Sequence, residues 1–561
     1  MVVIYMLFKD LGMHYRNIKR YRDIVEVLIK HGFGYLIEVM ELRQFLPLSK
    51  RIKKLKPSKP QQDSRAIRLR KVLEELGPTY IKLGQLLSTR PDLISRNYIE
   101  ELEKLQDQVP PMDFEDVIKQ LNRELNGDYS QYFSEFSPTP LASASIGQVH
   151  KAILQDGEEV VVKVQRKGIH STIETDLDIM TNLAGLLRNR VFSDDFIDPV
   201  EIVNNFSNMI KQELDYRIEG RNTRKFRRNF ADEDDIIIPK VFWDLTTKRI
   251  FTMEFIDGYN INKLKDNSQT ETLAKAISKS FMQQIMIDGL FHGDPHPGNF
   301  IITRDYKVSW IDFGLVGQLT QADRERVANL FIALIKKDTD KAIEELLNLG
   351  MVTKEIDMRS LKRDFARLIE DYHGVTLEEV ELSVVMNRLL DLTFKYKIRL
   401  PIEFILLVKA LITVEGVVSK IEPKFDILTV AKPFAYEIIK KRLSPKRLMA
   451  DTLERLQEIS NYIIDLPEEL HNIFNLMQED QLEIKFHHVG IKPLISKLDI
   501  VSNRLSISLI IASLIVGSSL IMLADKGPEF LGFPVVGISG YLIAAVLGIW
   551  LVISILRSGR F

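Results

Sequence analysis
Apolar positions along the chain fall into distinct rhythms. From Arg65 to Asp107 they recur at helical spacing, interrupted at Gly77-Pro78 and again at Pro91, where glycine and proline break a helix. Residues 137–166 switch to alternation: "PTPLASASIGQVHKAIL", a turn at Asp156-Gly157, then "EEVVVKVQR". That pattern predicts paired strands. Two helical stretches follow, over roughly 170–191 and 198–230, before strand signals return in "DIIIPKVFWDLTTKRIFTMEFIDG" (235–258). "FIITRDYKVSWIDFG" (300–314) reads as a strand, a turn around Arg304-Asp305 and a second strand, and the chain around it is mostly helical. Residues 1–48 read as helical and partly amphipathic. A small sheet-rich unit followed by a larger helical one predicts an α+β fold with two lobes.

The end of the chain has no such alternation. "LSISLIIASLIVGSSLIML" (505–523) and "VVGISGYLIAAVLGIWLVISIL" (535–556) carry no charge, and each matches the roughly 30 Å hydrocarbon core of a bilayer. Eleven Leu, Ile or Val in the first segment, at roughly −0.3 to −0.6 kcal/mol each, outweigh its serines. Lys497 and Arg504 precede the pair, Arg557 and Arg560 follow it, and Lys526 lies between beside Asp525 and Glu529. This distribution predicts a two-pass hairpin with both ends in the cytoplasm. Ser513/Gly517 and Gly540/Ala544/Gly548 supply small residues for close helix approach. The N-terminal apolar run is too short for a signal peptide, so the bulk of the chain is expected on the synthesis side.

Length and composition narrow the chemistry. At 561 residues, three or four units are expected. With 76 Lys+Arg against 77 Asp+Glu, nothing global argues for nucleic-acid binding. The absence of cysteine excludes disulfides, thiol nucleophiles and iron–sulfur clusters. "SKRIKKLKPSKPQQDS" (49–64), with six basic residues and two prolines, reads as a linker that is either a solvated tether or a contact with anionic lipid.

Spacing then points to phosphoryl transfer. In a protein kinase the catalytic-loop Asp precedes a metal-binding Asn by five residues, and a second metal-binding Asp opens a DFG after a short hairpin. Here Asp294 and Asn299 are five apart, and Asp312-Phe313-Gly314 follows the 300–312 hairpin. Asn299 and Asp312 are hard oxygen donors suited to Mg²⁺ between phosphates. "VVVKVQ" places Lys163 in an apolar strand, where an ammonium needs a partner. "MEFIDG" (253–258), including Glu254, lies where a hinge would present backbone groups to an adenine.

The ordered blocks between about 65 and 318 resemble the UbiB family of atypical kinase-like proteins, the aarF type linked to ubiquinone biosynthesis. "YIKLGQLLSTRPDLI" is similar to its KxGQ block, with Lys82, Gly84 and Gln85. "LASASIGQVHKA" resembles its alanine-rich nucleotide loop, so Ala142, Ser143, Ala144, Ser145, Ile146, Gly147 and Gln148 are implied nucleotide contacts. "QELDYRIEGRN" resembles its ExD block, with Glu213 and Asp215, and "HGDPHPGN" and "DFG" complete the set. The resemblance implies ATP (or ADP) and Mg²⁺ as cofactors, Lys82 and Gln85 reaching over the active site with Lys82 near Glu213, and Asp294 and Lys163 as catalytic groups. It makes Glu219 the candidate partner of Lys163, with Glu213 left open for that role. Units are expected at 1–60 (helical region and basic linker), 61–125 (KxGQ extension), 126–260 (N-lobe with inserted helix and ExD helix), 261–430 (C-lobe), 431–504 (helical connector) and 505–556 (transmembrane hairpin). Serine and alanine where kinases have loop glycines imply a different grip on the nucleotide, and Gly293 replaces the arginine of most kinases.

Two functional readings follow. In one, a bacterial inner-membrane enzyme hydrolyses Mg-ATP, or passes its phosphoryl group to a lipid or small molecule, in support of isoprenoid quinone biosynthesis. In the other, the chain is a nucleotide- and lipid-binding pseudokinase scaffold for a quinone-biosynthesis complex. Expected partners are membrane lipid, isoprenoid quinone precursors and other quinone-biosynthesis enzymes, with a homodimer left open. A transition-metal site at His292, Asp294 and His296 is a third reading, disfavoured by the prolines between them.

Overall fold
The computed structural model describes residues 17–40, 42, 63–90, 93–105, 109–190, 198–264, 269–352, 356–371, 381–442, 491–524, 528–530 and 533–557. They divide into two units, residues 1–450 and 451–561. Most of the basic linker, Lys526 and the connector between 443 and 490 lie outside the described residues.

Helices α1 (Asn17–Lys30), α2 (Gly34–Val39), α3 (Arg65–Leu76), α4 (Pro78–Ser88) and α5 (Arg96–Leu102) follow the apolar periodicity. Ser64 caps α3 by accepting from the Ile67 N–H at 3.3 Å. Gly77, at φ 93°, ends that helix in a conformation side chains disfavour. Pro78 then begins α4, where its missing N–H leaves no bond unmade. The next helix, α6 (Phe114–Glu124), buries Val117 and Leu121 against Phe133, Val160, Val162 and Ile250. It therefore belongs to the sheet-rich lobe, and the boundary expected at 125/126 moves upstream of it.

That lobe is a sheet of β1 (Phe133–Phe136), β2 (Ala142–Ser143), β3 (Gly147–Leu154) and β4 (Glu159–Gln165), with one later strand. Gly157, at φ 90°, makes the β3–β4 turn where Asp156-Gly157 predicted it. Next come α7 (Ile169–Arg190), α8 (Pro199–Glu213) and α9 (Tyr216–Asn229). The single stretch read over 198–230 is two helices, because Asp215 caps α9 by accepting from the Arg217 N–H at 3.1 Å. Ile173 and Met180 of α7 and Phe206 of α8 share one core with Tyr21, Leu76 and Leu86. The N-terminal extension and the inserted helices are thus a single helical body, not separate units.

The 235–258 segment is shared between lobes. Of β5 (Ile236–Ile237), β6 (Ile250–Glu254) and β7 (Gly258–Asn260), only β6 joins the upper sheet, in the order β1-β3-β4-β6 with β2 on β3. In the larger lobe, α10 (Thr270–Gln283) runs through a π-helical turn at Gln284–Asp288 into β8 (Leu290–His292). There β9 (Phe300–Thr303) and β10 (Val308–Trp310) form the expected hairpin, flanked by β7 and β5, and β11 (Val316–Gln318) pairs with β8.

Helices α11 (Gln321–Ile335), α12 (Thr339–Leu349), α13 (Met358–Glu370), α14 (Leu382–Lys395), α15 (Ile402–Ile421) and α16 (Ile427–Arg442) complete it. Ala431, Ala435 and Ile438 of α16 sit in the same core as Phe300, Trp310 and Phe313. The boundary expected at 430/431 therefore cuts a helix of the C-lobe.

In the second unit, α17 (Ile491–Ala524) and α18 (Val535–Arg557) form the hairpin. Ser502–Ala524 and Val535–Val552, with mean hydropathies of 2.4 and 2.3, are long and apolar enough to cross a membrane. Their seam differs in part from the expected one. Gly540 opposes Ser518, Gly537 opposes Met522, and Ser519 Oγ meets Tyr541 Oη at 2.6 Å, whereas Gly517 and Gly548 have open space where a Cβ would stand.

Candidate active site
Strand β4 holds Lys163 opposite Phe251 of β6, and the alternation that buries Val162 and Val164 turns the lysine to the other face. Its ammonium lies 3.0 Å from Glu219 Oε2, 3.1 Å from Glu219 Oε1 and 3.5 Å from Asp312 Oδ2. The choice between the two glutamates is thereby settled for Glu219, which sits in the first turn of α9 and is 5% exposed. Burial opposes the charge on Lys163, but Asp312 and Glu219 outweigh it and raise its pKa well above the ordinary value. Burial pushes Glu219 up to about 7, against the pull of Lys163. For the more open Asp312, burial also acts upward, but Lys163, His292 and the Gly314 N–H hold it down at about 2. One ammonium thus serves two unequal carboxylates.

Asp312 adopts φ 59°, unusual for a residue with a side chain, and accepts from the Gly314 N–H at 3.2 Å. The conformation is imposed from both sides. Phe313 is buried 4.5 Å from Phe226, its carbonyl accepts from Asn222 Nδ2 at 3.0 Å, and the Ile311 N–H donates to the Asn299 carbonyl at 3.0 Å. This last bond extends the β9–β10 ladder and sets Asn299 beside the start of the DFG. The Asn299 amide group donates to the Asp294 carbonyl at 2.9 Å, leaving its side-chain oxygen for a cation. Two hard oxygen donors of this kind fit a Mg²⁺ shared with phosphate oxygens. Among the described residues no cluster of three His, Asp or Glu could hold a metal.

The transition-metal reading of the histidines is overturned. His292 Nδ1 accepts from the Asp294 N–H at 3.2 Å while its Nε2–H donates to the Ile311 carbonyl at 3.1 Å. His296 Nδ1 accepts from the Gly298 N–H at 2.9 Å. Burial lowers the pKa of His292, and with both ring nitrogens hydrogen-bonded it acts as a spacer between the catalytic loop and the DFG strand.

The KxGQ and ExD blocks meet as expected in one respect: Lys82 Nζ lies 2.6 Å from Glu213 Oε1. Lys82 also helps depress the pKa of Asp312. The companions do not follow. Gln85 donates to the Leu105 carbonyl at 3.4 Å, inside the helical body. Asp215 is the cap of α9 and pairs with Arg217 at 2.6 Å. At the hinge, where the expectation concerns backbone groups, the Glu254 carboxylate itself accepts from the Lys240 N–H at 3.0 Å and faces Arg227 at 3.7 Å.

The alanine-rich loop is held rather than free. Arg166 donates to the Ala144 carbonyl (2.9 Å), Ser143 Oγ (2.8 Å) and the Pro110 carbonyl (2.7 Å). Ile146, expected at the nucleotide, is instead buried in the helical body's core. Gln148 is 1% exposed, accepting from the Met112 N–H at 2.7 Å and bonding His150 Nε2 at 2.8 Å. Gly147 is where no side chain fits, since a Cβ would stand 2.4 Å from Tyr216 Oη and 2.7 Å from the Val164 carbonyl oxygen. The buried hydroxyls of Ser145, on this loop, and Tyr216, beside Gly147, have no hydrogen-bond partner among the described residues. A polar ligand would supply one.

Sequence reasoning missed Lys409. It stands on α15, with Nζ 3.6 Å from Asp294 Oδ1. The available signal was a lone lysine within the apolar run "FILLVKALITV".

Residues 104–346 match the ABC1 atypical kinase-like domain, 365–426 the UbiB helical domain and 489–557 the ABC1/UbiB kinase-like C-terminal domain. A protein described as "Probable protein kinase UbiB" from Xanthomonas campestris pv. campestris (strain B100) is 32% identical over 524 residues, 91% of this chain and 93% of its own. An uncharacterized protein in the hydrogenase 1 5' region of Clostridium pasteurianum is 34% identical over 97% of this chain and 99% of its own. Among solved structures, the complex of Rv3197 with erythromycin from Mycobacterium tuberculosis is 26% identical, with a TM-score of 0.46, covering 66% of this chain and 94% of that one.

Proposed function
Because the chain belongs to the UbiB family of ABC1 atypical kinase-like proteins, we propose that it is a membrane-anchored atypical kinase or ATPase. It binds Mg-ATP and supports isoprenoid quinone biosynthesis by ATP-driven handling, or phosphorylation, of a lipid or small molecule. The observation that carries this reading is the meeting of Lys163 with Glu219 and Asp312 in a body where the Asn299 amide holds the Asp294 backbone. In this reading Lys163 grips the α/β-phosphates and Asp294 orients the attacking hydroxyl or water. Asn299 and Asp312 would hold Mg²⁺, which supplies charge neutralisation between the phosphates.

Two features support an apolar rather than a protein substrate. In this reading the Lys82–Glu213 pair obstructs the approach of a protein to the site. The C-lobe also contains a pocket of about 100 Å³, lined by Met282, Met286, Leu389, Phe404 and Leu407, with Thr393 the polar residue among them. Such a void suits hydrocarbon. The two apolar helices keep the chain at a bilayer where that substrate would reside.

The test is nucleotide binding by the detergent-solubilised full chain. Asp312→Asn is expected to abolish Mg-dependent ATP binding, and Asp294→Asn to retain binding while losing turnover. Normal Mg-ATP binding by Asp312→Asn would overturn the site. Full support of quinone synthesis by Asp294→Asn in a deletion strain would favour the scaffold instead.

A further inference from the structure
The catalytic loop "HGDPHPGN" carries no lysine or arginine between Asp294 and Asn299. Lys163 is engaged by Glu219 and Asp312, and Lys82 by Glu213. Phosphoryl transfer nevertheless spreads negative charge over the equatorial oxygens of the moving group, beside the residue that orients the nucleophile. A cation at that point has to come from elsewhere in the fold.

Helix α15 brings one. Ile402, Leu406 and Lys409 are spaced i, i+4 and i+7 and share one face. Ile402 packs against the core of the helical body. Leu406 lies against Gly293, where an added Cβ would stand 2.9 Å from Leu406 Cδ2 and 3.0 Å from Leu315 Cγ. Gly293 has no left-handed conformation to satisfy. Its missing side chain is what lets the helix approach the catalytic loop. One turn beyond Leu406, Lys409 reaches Asp294 at 3.6 Å. Lys409 also acts electrostatically on Glu103, just past the end of α5.

The pair is not placed for stability. The two side chains are 38% and 41% exposed, and ion pairs that open to solvent contribute little to folding. An ammonium held loosely by a carboxylate can be drawn off by a phosphate. We propose that Lys409 is a catalytic residue, the cation that receives the transferring γ-phosphoryl group of the nucleoside triphosphate at Asp294. In the step it serves, the nucleophile's oxygen bonds to Pγ as the bond from Pγ to the β-phosphate oxygen breaks. The electron pair of that bond leaves with the nucleoside diphosphate. The proton of the nucleophile passes to the Asp294 carboxylate, and Lys409 takes no part in that transfer.

This assignment rests on the Mg-ATP reading above, and the experiment separates the two. The full chain in detergent is titrated with Mg-ADP and with Mg-ADP plus beryllium fluoride, which mimics the γ-phosphoryl group. Wild type is compared with Lys409→Met, Lys409→Arg and Asp312→Asn. Lys409→Met keeps the apolar stem and is expected to bind Mg-ADP within twofold of wild type. Its affinity for the fluoride complex should fall at least tenfold, with substantial recovery in Lys409→Arg. Equal affinity of Lys409→Met and wild type for the fluoride complex would overturn the role of Lys409. So would an equal loss for both ligands, which marks a merely structural role. Unchanged binding of both ligands by Asp312→Asn would instead strike the nucleotide site itself, and Lys409 with it.

Discussion

Lys163→Met should destabilise the protein by an amount that depends on pH, and the dependence follows from Glu219. That carboxyl is 5% exposed and its pKa is pushed up from 4.5 to about 7. A folded-state value above the unfolded one means that the folded chain binds more protons across this window, so stability falls as pH rises through it. At about 1.4 kcal/mol per pH unit, the penalty reaches about 3–4 kcal/mol above pH 7. Lys163 is what keeps it from being larger. Without the ammonium the Glu219 pKa climbs further, and each added unit costs about 1.4 kcal/mol at alkaline pH. At pH 6 the group is protonated in both proteins and that term vanishes. The loss of the contact with Asp312, whose side chain is 48% exposed, is screened and adds at most about 1 kcal/mol. The variant should therefore melt close to wild type at pH 6 and fall away at pH 9. The gap should widen by at least about 3 °C for a lobe-sized cooperative unit. Fluorescence of Trp310, buried in the C-lobe core, gives the transition. An equal melting deficit at both pH values would refute the account of this triad.

Two further outcomes follow from the contacts around it. Gly293→Ala places a methyl group 2.9–3.1 Å from Leu406 and Leu315 atoms, and overpacking of this size costs about 1–3 kcal/mol. Thermal melts should show that cost, and turnover should fall more than Mg-ADP affinity because α15 is moved off the loop. Lys82→Ala removes the 2.6 Å pair with Glu213. It should open the cleft, seen as faster nucleotide exchange by stopped-flow fluorescence, and unchanged exchange would count against an occluding role.

The sequence displayed those parts of the site whose chemistry is local. Asp294, Asn299 and Asp312 stand on a short hairpin whose alternation and turn are plain, and Lys163 is conspicuous in an apolar strand. Glu219 came from the resemblance, which gave Glu213 to Lys82 and left the glutamate two turns below it for Lys163. Residues named from a motif window fared differently. Ile146 and Gln148 fall in the loop block, but strand alternation and the adjoining helical core draw both inward. Asp215 and Gln85 show the same limit, since a side chain inside a motif can serve the backbone that supports it. Lys409 was hidden because 115 residues separate it from Asp294, and tertiary packing alone brings them together. The domain boundaries failed where elements cross between bodies, as α6, β5 and β7 do, because periodicity says which face is buried and not against what.

These displacements share a physical cause. In an ordinary kinase the loop over the phosphates is glycine-rich and free to close. Here Ile146 is anchored in the helical body and Arg166 ties the preceding backbone to Pro110, so the loop is fastened to that body. Lys82 issues from the same body, which also receives Ile402 at the foot of α15. The opposite face of α15 offers Phe404, Leu407, Val408 and Leu411 to the apolar cavity. A single helical body therefore holds the loop, carries the lysine across the cleft and supports the helix that carries Lys409. Its position, rather than the flexibility of any one loop, sets how the three stand relative to one another. Opening the cleft then means shifting a packed core, which responds in discrete steps rather than by gradual bending.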